Sequence, residues 1–152
     1  MTDQVSIEDE TLAAAFNVVV LAVGSGGLLA LSQILRALPL NFPAAIIVVQ
    51  HLDTQSDPSL MTDALCRPTT KPSKYAQSGE LLRAGMVYIA PPDQHLFITP
   101  NFTLCLSQAA FVDLARPSVD LLLQSVAASF KERALAVVLS GTGSDGAMGV
   151  QD

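Results

Sequence analysis

At 152 residues the chain has the length of one domain, and with half of its residues hydrophobic it can bury a sizeable core. A formal net charge of −6 argues against nucleic acid and anionic membrane as partners, because both demand clustered Lys and Arg. No apolar run reaches the roughly 18 residues of a membrane span, so membrane insertion is not expected.

Residues 1–16 carry Asp3, Glu8, Asp9 and Glu10 and show no strong period; they read as an acidic N-terminal tail ahead of a domain at 17–152. The same acids stand where the positive region of a signal peptide would be. Residues 18–23 (VVVLAV) are apolar throughout and rich in β-branched side chains, as expected of a central parallel strand covered on both faces. The chain then breaks at Gly24-Ser25-Gly26-Gly27 and resumes with Leu28, Leu31, Ile34, Leu35 and Leu38 at helical spacing. This is a strand, a tight glycine turn and a helix. Pro39 and Pro43 mark the return, and residues 44–49 form a second buried strand that ends at Gln50-His51. Strand, helix and strand with a short return are the pattern of a right-handed parallel crossover.

Residues 53–70 are polar with room for a short helix at 60–65, and 71–79 reads as loop. Residues 86–90 (MVYIA) make a third strand, stopped by Pro91-Pro92. Residues 96–98 and 103–106 flank the turn signal Pro100-Asn101 and form a β-hairpin. Pro117 suits the first position of a helix over 117–130, with Val119, Leu122, Leu123, Val126 and Phe130 on one face. Residues 134–139 (ALAVVL) are another continuous apolar strand, followed by a loop at 141–146. The expected fold is α/β: an open, mainly parallel, Rossmann-like sheet flanked by helices, with a hairpin insertion. A parallel strand there is normally followed by a full helix, so the end at Asp152 suggests C-terminal truncation. Cys66 and Cys105 are far apart, lack a metal-ligand spacing, and read as reduced, buried thiols in a cytoplasmic protein.

Three reactive side chains fall just past the carboxyl ends of predicted parallel strands: Ser25, His51 and Asp145. That edge of an open α/β sheet is where ligands bind. The set is chemically complete. A serine hydroxyl needs a base, imidazole supplies one near neutral pH, and a carboxylate fixes the imidazole tautomer. Gly24, Gly26 and Gly27 form the turn at a helix N-terminus, and the Gly26 N–H is placed to donate to an oxyanion. Each residue also has an ordinary structural reading: a serine cap, a loop histidine, an Asx turn. A dinucleotide site is the weaker reading. The third glycine of G-x-G-x-x-G is Leu29, and no acid follows the second strand before Asp53. His95 is a spare base candidate and reads as a structural loop histidine.

Six short segments together resemble the catalytic domain of the CheB-type chemotaxis protein-glutamate methylesterase family. They are residues 18–31; Val49-Gln50-His51; Gly79-Glu80 with 82–85 (LRAG); 87–93 (VYIAPPD) with His95-Leu96; 116–120 (RPSVD); and 139–147 (LSGTGSDGA). The resemblance implies a Ser-His-Asp esterase that hydrolyses glutamyl methyl esters on the cytoplasmic helices of methyl-accepting chemoreceptors, in chemotaxis adaptation, and in many members deamidates receptor glutamines. It assigns the histidine to His51 and the aspartate to Asp145, and implies no metal and no cofactor. It leaves room for a phosphorylated receiver domain or a histidine kinase acting in trans. Two departures stand out. The family reads G-A-S-x-G-G, so the serine here falls one position later, at Ser25, with Val23 where the elbow glycine belongs. Ser78 stands where the family often has Asp. The shifted serine keeps open a second reading, a CheB-like binding domain with weakened or lost catalysis.

Overall fold

The structure is a computed structural model and describes residues 17–24, 27–50, 72–108 and 118–139. Five strands form one sheet: β1 (Asn17–Val23), β2 (Ala44–Gln50), β3 (Ser73–Tyr75), β4 (Val87–Ile89) and, last in the chain, β7 (Ala134–Leu139). Their order is β3-β4-β2-β1-β7, and every neighbouring pair is parallel. Between β4 and β7 in sequence lies a separate antiparallel pair, β5 (His95–Ile98) with β6 (Leu104–Ser107). Among the described residues the two long helices are α1 (Leu28–Ala37) and α2 (Val119–Phe130). The expected fold class is the one observed.

Alternation along the strands sorts the core into two layers. Val18, Val20 and Ala22 of β1 share a face with Ala45, Ile47 and Val49 of β2. That face packs against the hairpin and the apolar stripe of α2, Val119, Leu122, Leu123, Val126 and Phe130. Leu21, Val23, Ile46, Val48, Val87 and Ile89 point the other way, against Leu31 and Leu35 of α1. Covering both faces is what the unbroken apolar runs of β1 and β2 require, since alternate residues have no water-facing side.

Side-chain hydroxyls fasten α2 to the hairpin. Ser125 Oγ accepts the Ile98 N–H at 2.9 Å and donates to the Leu122 carbonyl at 2.8 Å. Ser129 Oγ donates to the Thr99 carbonyl at 3.1 Å. Such hydroxyls let a helix approach strand backbone without leaving polar groups unmatched.

Three sequence expectations are corrected here. Residues 73–75, read as loop, form β3 and pair with β4, because the edge of β4 offers backbone partners that a polar segment can take. The helix expected over 117–130 begins at Val119, and Pro117 lies outside the described residues. Ser118, in extended backbone (φ −97, ψ 128), caps α2 by accepting the Leu121 N–H at 3.3 Å. A hydroxyl that satisfies an orphan amide outranks a proline as the start signal. Cys105 is a free thiol but only half-buried, on the outer strand of the hairpin, and Cys66 lies outside the described residues. β7 is apolar throughout, yet Leu135 is 58% and Val138 51% exposed, since β7 ends the described sheet. Ser78, the departure from the family pattern, accepts the Leu106 N–H at 3.0 Å, a contact a carboxylate could also make. The expected helix at 60–65 lies outside the described residues. Among the described residues, no helix is long and apolar enough to cross a membrane.

Candidate active site at the carboxyl edge of the sheet

Three adjacent strands end level. Val23 at the end of β1 pairs with Gln50 at the end of β2 and with Leu139 at the end of β7. β1 connects through α1 to its neighbour on one side, while β7 lies on its other side. The chain therefore winds away from β1 in both directions, and the crevice at a reversal of this kind is the usual ligand site of an open α/β sheet.

The glycine turn is built from backbone contacts. Gly24 N–H donates to the Leu139 carbonyl at 2.9 Å, which ties the turn to β7. Gly27 N–H donates to the Gly24 carbonyl at 3.0 Å, which closes the turn. The Gly27 carbonyl accepts the Leu31 N–H at 3.0 Å, which starts α1. Gly27 is the N-cap and brings no side chain to it. The first turn of α1 contains no acidic residue, so no carboxylate of its own offsets the positive end of the helix dipole, while Arg36 complements the other end.

Of the candidate residues, Gly24 and Gly27 belong to this framework. Ser25, Gly26, His51 and Asp145 lie outside the described residues. The chain itself fixes their attachment points. Ser25 and Gly26 join Gly24 to Gly27, His51 follows Gln50, and Asp145 comes after Leu139 by way of Ser140. The three segments that hold the candidate triad residues therefore start from the same level edge.

His95 is not in a loop but is the first residue of β5, and it is fully buried. Its Nδ1 accepts the Ser118 N–H at 3.2 Å. That contact makes it a tether between the hairpin and α2, as the structural reading expected. Among the described residues, no group of three or more His, Cys, Asp or Glu side chains could hold a metal ion. Sequence reasoning missed the Leu139 carbonyl as the anchor of the turn, because a backbone acceptor across a sheet leaves no residue signature. Ser118 was within reach: a serine directly ahead of an apolar helical stripe, with Asp120 in the first turn, is an N-cap signal.

Comparison with known proteins gives a consistent result. The family model described as CheB methylesterase matches residues 19–152. The chain is similar to the crystal structure of the Thermotoga maritima CheB methylesterase catalytic domain, with a TM-score of 0.81 and 34% identity over 90% of this chain and 73% of that one. A Leptospira interrogans protein, provisionally named a protein-glutamate methylesterase/protein-glutamine glutaminase, is 34% identical over 138 residues, 90% of this chain and 70% of that protein. A Burkholderia orbicola protein-glutamate methylesterase/protein-glutamine glutaminase is 38% identical over 133 residues, 88% of this chain and 39% of its own length.

Proposed function

The chain belongs to the CheB methylesterase family, and from that membership we propose that it hydrolyses glutamyl methyl esters of chemoreceptor cytoplasmic helices through Ser25, His51 and Asp145. The observation that carries the assignment is the level carboxyl edge, where Gln50, Val23 and Leu139 pair in register immediately ahead of the segments that hold the three residues. The reaction serves chemotaxis adaptation in the cytoplasm.

In this reading Ser25 Oγ attacks the ester carbonyl while His51 takes its proton. Asp145 holds the imidazole in the correct tautomer and stabilises the imidazolium. The tetrahedral intermediate collapses, methanol leaves with the proton from His51, and an acyl-enzyme remains. Water, deprotonated by His51, hydrolyses that ester and frees Ser25. The same attack on a receptor glutamine releases ammonia instead, which is the glutaminase chemistry in the names of the relatives.

The oxyanion contact is assigned to Gly26. The Gly24 N–H is engaged by the Leu139 carbonyl and the Gly27 N–H by the Gly24 carbonyl. Neither of those amides is available to a developing oxyanion, and the reading gives that role to the Gly26 N–H. A donor of this kind commonly contributes about 3–4 kcal/mol to transition-state stabilisation.

Methanol release from a methylated receptor fragment tests the proposal. Wild type should turn over, and Ser25→Ala and His51→Ala should each lower kcat by at least about 10³-fold. A serine-directed fluorophosphonate should label wild type and not Ser25→Ala. Receptor binding without methanol release, by folded protein, would instead support the binding-domain reading that the shifted serine raises.

A further inference from the structure

We propose that Gly27 and the Leu139 carbonyl form the seat that holds the glycine turn against β7, which makes Gly27 a positioning residue for the reaction; only this catalytic consequence rests on the esterase reading. The Leu139 oxygen meets the turn twice. It accepts the Gly24 N–H at 2.9 Å, and a Cβ placed on Gly27 would lie 3.0 Å from it. The same Cβ would lie 2.9 Å from Val23 Cγ1 and 3.3 Å from the Gly24 carbonyl. Two of these three neighbours are backbone atoms, which cannot rotate out of the way.

Gly27 is at φ −88, a conformation open to any residue. The requirement for glycine is therefore space and not backbone freedom. A methyl group at position 27 must lift the turn from β7, move the end of β7, or both. Either shift changes the spacing between two chain segments that leave the same point. One is the Ser25-Gly26 link, whose ends at Gly24 and Gly27 are joined by a 3.0 Å hydrogen bond. The other begins at Leu139 and runs to Asp145. The carbonyl thus ties together the points from which the segments of the proposed nucleophile and the proposed acid begin. A misplacement of about 1 Å between reacting groups can lower a rate on the order of 100-fold.

The test uses the full chain with Gly27→Ala, Val23→Ala and the double variant Val23→Ala/Gly27→Ala. Two quantities are read: hydrogen exchange of the Gly24 amide, and kcat and KM for methanol release. For Gly27→Ala, exchange at Gly24 should accelerate by at least about tenfold as its bond to Leu139 opens. Its kcat should fall roughly 10- to 100-fold while KM stays within about twofold, because substrate contacts are intact and alignment is not. The double variant removes the Val23 contact but not the carbonyl contact, so both defects should persist relative to Val23→Ala. If Gly27→Ala does not fold, the double variant carries the same two readouts. Wild-type exchange and kcat in Gly27→Ala would overturn the proposal. So would full recovery of both in the double variant, which would place the constraint at Val23. If wild type itself releases no methanol, the esterase reading fails, and the seat is judged on Gly24 exchange, which needs no substrate.

Discussion

His95 Nδ1 accepts the backbone N–H of Ser118 at 3.2 Å, in a place where neither residue reaches solvent. An imidazole nitrogen that accepts a hydrogen bond is unprotonated, so the ring is neutral with its proton on Nε2. Ser118 in turn caps α2 through its own hydroxyl. One histidine on the hairpin therefore holds the residue that caps the helix.

His95→Ala should destabilise the fold by about 2–4 kcal/mol, through a cavity and an unmatched Ser118 amide. His95→Asn keeps an acceptor and should recover part of that loss. Urea unfolding checks the order wild type, Asn, Ala. Folded His95→Asn should hold its kcat within about threefold of wild type, whereas a general base would lose orders of magnitude.

Tyr88 gives the alkaline limb a shape. Its phenol accepts the Arg83 N–H at 2.9 Å and donates to the Leu81 carbonyl at 3.3 Å. Burial raises its pKa above the usual 10.0; the Arg83 amide pulls it down, the Glu80 charge pushes it up, and the Arg83 charge pulls it down less strongly. The folded chain therefore holds this proton more tightly than the unfolded chain. Below pH 10.0 both states keep it and stability does not respond. Above that value the unfolded state releases it first, and stability falls as pH rises. Tyr88→Phe should flatten the loss seen above about pH 10, while lowering stability at neutral pH by about 1–2 kcal/mol because the Arg83 amide loses its acceptor. Thermal unfolding across that range reads both effects.

The fold was legible because its signals were long. The apolar runs of β1 and β2 and the stripe of α2 are periodic over whole elements, and burial follows them residue by residue. β3 was not legible, since Ser73-Lys74-Tyr75 carries no apolar pattern and is a strand only because β4 has an edge to fill. At the site, the attachment points of Ser25, His51 and Asp145 followed from strand ends, which sequence marks with glycine and a change of polarity. The anchoring of the turn did not follow, because it depends on the register of β1 against β7, a quantity set by packing across more than a hundred residues of chain. Gly27 illustrates the limit: its residue type was visible, and the Leu139 oxygen that demands it was not.

Phe102 sits at φ +64 at the tip of the hairpin. Left-handed backbone costs a bulky residue about 1–2 kcal/mol. It is held there by hydrogen bonds from its N–H to the Thr99 carbonyl at 2.8 Å and to its own carbonyl from the Leu82 N–H at 3.0 Å, and by its ring, 4.7 Å from that of Phe130. Phe102→Ala loses the ring and keeps the strain, whereas Phe102→Gly loses the ring and the strain together. Glycine should therefore be the milder change, by about 1 kcal/mol, a reversal of the order expected in regular structure. Chemical denaturation of the two variants side by side decides it.

Asp145 supplies the prediction that separates positioning from attack. On the proposed assignment it never touches the ester; it holds His51, which accepts the proton of Ser25. Asp145→Asn keeps the size of the side chain but offers an amide where the imidazolium needs a negative charge, and it can favour the wrong tautomer. The kcat for methanol release should fall by about 10³- to 10⁴-fold. KM should change little, because receptor contacts do not involve this residue. Labelling of Ser25 by a fluorophosphonate should slow in parallel, since that reaction needs the same activated hydroxyl. Combining Asp145→Asn with His51→Ala should cost little more than His51→Ala alone, because an orienting carboxylate has nothing left to orient. Additive losses in that double variant would instead mean that Asp145 acts on its own, and would remove it from the triad.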